Sequence, residues 1–455
     1  MKKIILSLLF IASIIKIYSQ SIEMPVPTAS QLAWQNMEYY WFVHFGPNTF
    51  TDKEWGLGNE PEDAFNPTNL NCRQWCRLAK AAGAKGIIIT AKHHDGFCLW
   101  PSKFSTHTVK ESKWKNGKGD VLKELSQACK EYGLKFGVYI SPWDRNHPAY
   151  GTAAYNDVYV EMMKELFKNY SPIWELWWDG ANGEGTNGKK QIYDWKKFKE
   201  TVRTLSPNTV IFSDVGDVRW VGNENGIAGK TNWNLLNTDG FQPGSGAPPT
   251  DTLNSGNVAG KNWVPAECDV SIRPGWFYHK EEDEKVKTPQ QLFNIYLKSV
   301  GRGANMLLNV PADRNGLITS YDSAAVIGFK KLRDESFKNN LLKNAMTIVP
   351  YNLKNKKTVD PEITYHLIKP VELNCLVLKE KIEKGQNVAD ATLVLSEHGT
   401  EKQKINITTI GHKRIITFNK TQANEISLII YSTKQTPQLY PIEGYLIDEG
   451  LVEKN

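Results

Sequence analysis

"GIIITAKHHDG", residues 86–96, is the stretch on which the reading of the whole chain turns. Ile87, Ile88, Ile89 and Thr90 are β-branched on consecutive positions rather than alternate ones, the pattern of a strand buried on both faces of a parallel sheet. The run then meets Lys92, His93, His94 and Asp95, polar groups that packing alone would not select. A buried strand that ends this way carries side chains to a place where something is bound.

The pattern recurs on either side. "WFVHFG" (41–46), "KFGVYIS" (135–141), "WELWWDG" (174–180), "TVIFSD" (209–214), "WVPAECD" (263–269) and "NMLLNV" (305–310) read as further strands. Helical periodicity lies between most of them. In 120–133, Val121, Leu122, Leu125, Cys129 and Tyr132 share one face, with Asp120 placed to cap the start and Gly133 the end. In 191–205, Ile192, Trp195, Phe198, Val202 and Leu205 repeat at three and four, and 155–170 and 288–301 behave similarly. An eighth strand is expected near 230–237. Together these predict an α/β fold, a closed (β/α) barrel of TIM type, over an open doubly wound sheet, since no glycine-rich nucleotide fingerprint follows the first strand.

The pattern changes near residue 340. "NCLVLKEKI", "ATLVLSEH", "KRIITFN" and "EISLIIYS" are short β-type runs separated by turns, predicting a small C-terminal antiparallel β-sandwich. Residues 1–20 start with Lys2 and Lys3, continue through an apolar stretch from Ile4 to Ile15 and end in small and polar residues, the anatomy of a secretory signal. The expected division is therefore signal peptide 1–20, barrel 21–340 and sandwich 341–455, in a protein that is exported and soluble, periplasmic or secreted, without membrane insertion.

Composition narrows the partners. A charge balance of 55 basic against 49 acidic residues, with no long basic tract, argues against nucleic acid. The 15 tryptophans offer flat faces on which sugars stack. Six cysteines, at 72, 76, 98, 129, 268 and 375, are too sparse for a disulfide-built scaffold and read as buried free thiols.

Barrel chemistry sits at the C-terminal ends of the strands. Those ends bring His44, then His93, His94 and Asp95, Tyr139 and Trp143, Trp177, Trp178 and Asp179, Asp214, and finally Glu267 and Asp269. Three chemistries compete for them. His44, His93, His94 and Asp179 could ligate zinc, although adjacent histidines on a straight strand point apart. An aromatic mouth could bind sugar without catalysis. A glycosidase would set two carboxylates across a glycosidic bond while histidine and aromatic side chains hold ring hydroxyls, and the supply of His and Trp fits this best. Two long loops, 181–190 and 238–262, leave the same face of the barrel.

"WFVHFG", "KHHDGFCLW", "LWWDG" and "VRWVGNE" resemble the retaining α-L-fucosidases of glycoside hydrolase family 29, over roughly residues 30–340, and the tail with "VLKEKIEKGQNV" is similar to the β-sandwich that follows the barrel there. "WWDGANGEG" with "RWVGNE" resembles the subfamily selective for α-1,3 and α-1,4 linked fucose on Lewis-type branched glycans. The resemblance implies hydrolysis of terminal fucose from fucosylated oligosaccharides or glycoconjugates, with no metal and no cofactor. It makes Asp179 the nucleophile and gives His44, His93, His94, Glu54 and Trp55 to the sugar, with Tyr139 beside the nucleophile and Trp177 in the wall. Glu224 in "GNENG" matches the acid/base of that subfamily; Glu267 is the choice from the strand pattern alone, with support of the sugar as its other role. Arg273 and Trp276 in "SIRPGWFY" are expected to border the site, and Trp220 to face the leaving sugar.

Overall fold

The computed structural model of the chain describes residues 24–242, 246–348 and 362–452. Residues 1–20, and with them the expected signal, lie outside this set. Among the described residues, no helix is long and apolar enough to cross a membrane.

A barrel of eight parallel strands closes in the order β1-β10-β9-β6-β5-β4-β3-β2. The strands are β1 (Tyr39–Val43), β2 (Gly86–Lys92), β3 (Lys135–Ile140), β4 (Glu175–Trp177), β5 (Val210–Ser213), β6 (Val218–Trp220), β9 (Ala266–Ser271) and β10 (Asn305–Asn309). β2 is buried along its whole length, as its unbroken apolar run requires, and each such isoleucine contributes about 2 kcal/mol by leaving water. The helices are α1 (Ala29–Gln35), α2 (Pro47–Thr51), α3 (Cys72–Ala81), α4 (Val121–Tyr132), α5 (Ala154–Tyr170), α6 (Trp195–Leu205), α7 (Thr250–Ser255), α8 (Pro289–Lys298) and α9 (Ser320–Ser336). α4 has the predicted caps: Asp120 accepts from the Lys123 amide, and Gly133 ends the helix at φ +69°, a conformation that favours glycine. α6 starts at Trp195 rather than at 191, because Asp194 caps it and leaves Ile192 86% exposed outside the helix.

The eighth strand is not at 230–237. β6 takes that place, and Leu235–Leu236 (β7) instead pairs antiparallel with Asn262–Trp263 (β8) outside the barrel. Arg219 explains the exchange. Its buried guanidinium donates to the carbonyls of Leu253, Val264 and Trp233 and to Asn232, tying β6 to the β7–β8 region. Trp233, Leu235 and Trp263 then pack with Ile382 of the C-terminal region rather than in the barrel wall.

That region is a six-stranded antiparallel sheet of β11 (Met346–Ile348), β12 (Glu362–Leu378), β13 (Val388–Glu397), β14 (Thr400–Ile407), β15 (Arg414–Thr433) and β16 (Glu443–Tyr445). The pairing of β12 with β15 shifts register at His366/Val371 and at Leu373/Cys375. Such irregularities bend long strands, which lets one hydrogen-bonded sheet curve over its own apolar core. The sheet is seamed to the barrel by Gln386, whose Oε1 accepts from the Asn234 amide and whose amide donates to the Asn232 carbonyl. Glu38, at the foot of β1, also reaches across to Lys413 and His412. All six cysteines are buried free thiols; the sulfurs of Cys76 on α3 and Cys129 on α4 lie 3.7 Å apart.

Candidate active site

β2 ends at Lys92, so His93 and His94 follow the strand rather than belong to it. This removes the objection that neighbouring side chains must diverge. Their rings lie 4.1 Å apart, centroid to centroid, and His44 lies 5.8 Å from His93. Gly96 completes the turn at φ +85°, where a Cβ would meet the Asp144 carboxylate at 2.2 Å. Asp95 points into the protein, accepts from the Phe97 amide and is pushed up to about 6 by burial. It shapes the turn and does not join the site.

All three imidazoles are neutral at neutral pH, since burial lowers His44 to about 3, His94 to about 4 and His93 well below the ordinary value. Hydrogen bonding selects the tautomers. The Asn309 amide nitrogen donates to Ser271 and to the Trp276 carbonyl, leaving its oxygen to accept from His44 Nδ1 at 2.9 Å. Ser141 donates to the Trp143 carbonyl and so accepts from His94 Nδ1 at 2.8 Å. Nε2 of both rings is left as a lone pair, which accepts from hydroxyl groups.

Asp179 follows β4 on the same face as Trp177. Tyr139 donates to its Oδ2 at 3.0 Å and the Ala181 amide to its Oδ1 at 2.8 Å, while His94 Nε2 stands 3.7 Å from Oδ2. Asp214 stands behind it, raised by its own burial and by the charge of Asp179. Trp55, 55% exposed, forms the rim, edge-on to His94 at 5.5 Å and to Trp143 at 5.7 Å.

The Trp276 ring lies 5.1 Å from His44, and its indole donates to Glu224 Oε2 at 3.3 Å. Glu224 stands on an exposed loop pinned to β9 by a bridge between Asn225 and Val270 and by Gly226, at φ +72°, packed on Val270. Glu54 accepts from the Trp276 and Phe277 amides and pairs with His279, which also binds Asp52. Glu54 thus holds the loop that carries Trp276.

Several expectations need correction. Glu267 is the second residue of β9, not its end. It is fully buried on the barrel floor, accepting from Tyr40 and from the Trp177 indole at 2.8 Å. Arg273 does not face the pocket, because its buried guanidinium grips Asp322 on α9 at 2.7 Å and Asp283 at 2.9 Å. Trp220 turns its indole to Asp269 at 3.0 Å. Asn309, Ser141 and His279 were not singled out from the sequence. Asn309 and Ser141 had a signal, each a polar residue closing an apolar run, "NMLLN" and "KFGVYIS"; His279 had none. Among the described residues, no three His, Cys, Asp or Glu side chains converge in a way that would hold a metal ion.

A family profile described as alpha-L-fucosidase matches residues 23–328. The chain is 40% identical over 450 residues to alpha-L-fucosidase 1 of Arabidopsis thaliana, covering 93% of this chain and 88% of the plant protein. The crystal structure of a glycoside hydrolase 29 family member from an unknown rumen bacterium matches at 44% identity and a TM-score of 0.87, over 94% of this chain and 78% of that one. A Ruminococcus gnavus glycoside hydrolase 29 fucosidase in complex with fucose matches at 29% identity and a TM-score of 0.83, over 94% of this chain and 96% of that one. Matched across most of the barrel by the family profile and along nearly its whole length by these relatives, the chain belongs to the α-L-fucosidases of glycoside hydrolase family 29 and is a fucoside hydrolase.

Proposed function

We propose that this hydrolase works by double displacement, with Asp179 as nucleophile and Glu224 as acid/base. What carries the reading is the Asp179 carboxylate, oriented by two donors and standing beside the neutral His94. In the first step an Asp179 oxygen bonds to the anomeric carbon as the glycosidic bond breaks, and the departing oxygen takes the Glu224 proton. In the second, Glu224 takes a proton from water, whose oxygen replaces Asp179 on the same carbon, so configuration is retained. His44 and His94 accept from the ring hydroxyls, and Trp55 stacks at the rim. Glu224, on an exposed loop that Trp276 ties to the pocket, is placed toward the leaving sugar, as a proton donor must be. Glu267 is buried on the floor, where both its oxygens accept, from Tyr40 and from the Trp177 indole.

The substrates are fucosylated glycans, with preference for α-1,3 and α-1,4 linked fucose on branched Lewis-type structures, on the strength of "WWDGANGEG" and "RWVGNE". Residues 1–20 direct export, and the catalytic barrel gives way to the C-terminal domain near residue 340. The test is release of free fucose from a Lewis-type trisaccharide, 2′-fucosyllactose and an aryl α-fucoside in parallel. Release confined to the branched sugar is expected. Equal release from all three overturns the linkage preference, and release from none overturns the function.

A further inference from the structure

Two carboxyl groups that the mechanism leaves unused lie together beneath the pocket. Glu175 opens β4 and Glu267 lies near the start of β9, strands that β5 and β6 separate in the barrel wall. Both are fully buried. Glu267 accepts from Tyr40 of β1 on Oε2 and from the Trp177 indole on Oε1, and Glu175 Oε2 accepts from the Trp34 indole of α1 at 3.0 Å. Glu175 Oε1 is buried with no N–H or O–H donor in reach. What it meets is the Glu267 carboxyl, and a hydrogen bond between the two needs a proton on one of them. Burial, and for Glu175 the neighbouring Glu267, raise both carboxyls above the ordinary carboxylate range, so the pair keeps a proton between them.

The clamp stands where the wall is thinnest. β4, β5 and β6 have three, four and three residues, against seven in β2 and six in β9. Short ladders hold a strand loosely, yet β4 leads into the nucleophile: Glu175 and Trp177 share one face of the strand, and Asp179 follows two residues after it ends. Trp177 is held from below by Glu267, and its ring packs 5.3 Å from Tyr139, which donates to Asp179. We infer that Glu175 and Glu267 form a hydrogen-bonded carboxyl clamp across the barrel that fixes the height and direction of β4, and through Trp177 and Tyr139 the position of Asp179. Both are positioning residues; neither touches substrate. The inference rests on Asp179 being the nucleophile.

The test compares kcat, KM and melting temperature of Glu267→Ala, Glu267→Gln and Trp177→Phe on an aryl α-fucoside. Trp177→Phe deletes the indole donor and trims the side chain to a single aromatic ring, leaving both carboxyls in place, so it remains informative if Glu267→Ala fails to fold. Glu267→Ala and Trp177→Phe should lower kcat by about tenfold or more, the scale of a sub-ångström to one-ångström misplacement. KM should stay within about threefold, because His44, His93 and His94 follow β1 and β2, outside the clamp. Glu267→Gln, which can still accept from Trp177 and bond to Glu175, should recover most of the loss. A lower melting temperature with kcat unchanged overturns the inference, as does a rise in KM alone. Azide added to Asp179→Gly separates the two readings. Azide needs no positioned carboxylate, so its rescued rate should not fall further when Glu267→Ala is added, and an equal further fall overturns the clamp alone. No rescue of Asp179→Gly removes Asp179 as nucleophile, and the clamp's stated target falls with it.

Discussion

His94 shows how one residue gains its chemistry from its surroundings. Burial keeps the imidazole neutral, titrating at about 4, and Ser141 takes its Nδ1 proton, so Nε2 faces the pocket as an acceptor. His94→Phe keeps a ring and deletes the acceptor, which on the proposed assignment leaves a sugar hydroxyl unpaired. It should lower kcat/KM by about 10- to 100-fold without moving the acid limb of the pH–rate profile. The folded ring titrates below its ordinary 6.5, so the unfolded chain binds the proton first, and acid lowers stability as pH falls from 6.5 towards about 4. His94→Phe should reduce that acid-side loss of melting temperature. His44, His93, His94, Tyr139 and Asp179 were legible because each is a polar group at the end of an apolar run. Glu267 was misplaced because alternation says only that it faces the barrel axis. Its height follows from register, Asn305 against Glu267, and register depends on another strand. Arg273 lies past the end of β9, where its direction is set by an aspartate 49 residues away.

At the scale of elements, the rim depends on a short electrostatic tether. His279 bridges Asp52 and Glu54, and Glu54 accepts the backbone amides that seat Trp276. Burial lowers the His279 titration, but the hydrogen bonds to Asp52 and Glu54 outweigh it, and the net shift is upward. The stabilisation is therefore complete below the ordinary histidine range and lost as pH rises through the raised value. His279→Gln should raise KM at low pH and remove the alkaline rise in KM expected of the parent, a comparison made by steady-state kinetics across the neutral range. Long elements were readable from periodicity and caps, as α4 with Asp120 and Gly133 shows. β6 was not, because three residues, one of them arginine, carry no strand pattern of their own. The apolar run at 233–236 was the stronger local signal and served a different contact, the packing of Trp233 and Trp263 on Ile382.

At the scale of the molecule, the barrel and the C-terminal sheet are joined by buried polar groups as well as by apolar contact. Glu38 is the charged member of that seam. Burial would raise it, but His412 and Lys413 overcome this and hold it at about 2, against an ordinary 4.5. The seam's contribution is present above about 4.5 and lost as pH falls towards about 2. Glu38→Gln should lower the melting temperature at neutral pH and narrow its gap to the parent in that acid window, as calorimetry would show. The change from barrel to sheet was legible because periodicity switches near residue 340. The seam was not, since Gln386 and Asn234 lie 152 residues apart, and "VLKEKIEKGQNV", which contains Gln386, names no partner for it. One feature of the whole chain bears on where it can be made. Its six thiols are all buried, and burial holds those of Cys72, Cys98 and Cys268 protonated. The fold therefore contains no disulfide that a reducing compartment could undo, and its stability does not depend on the redox poise around it.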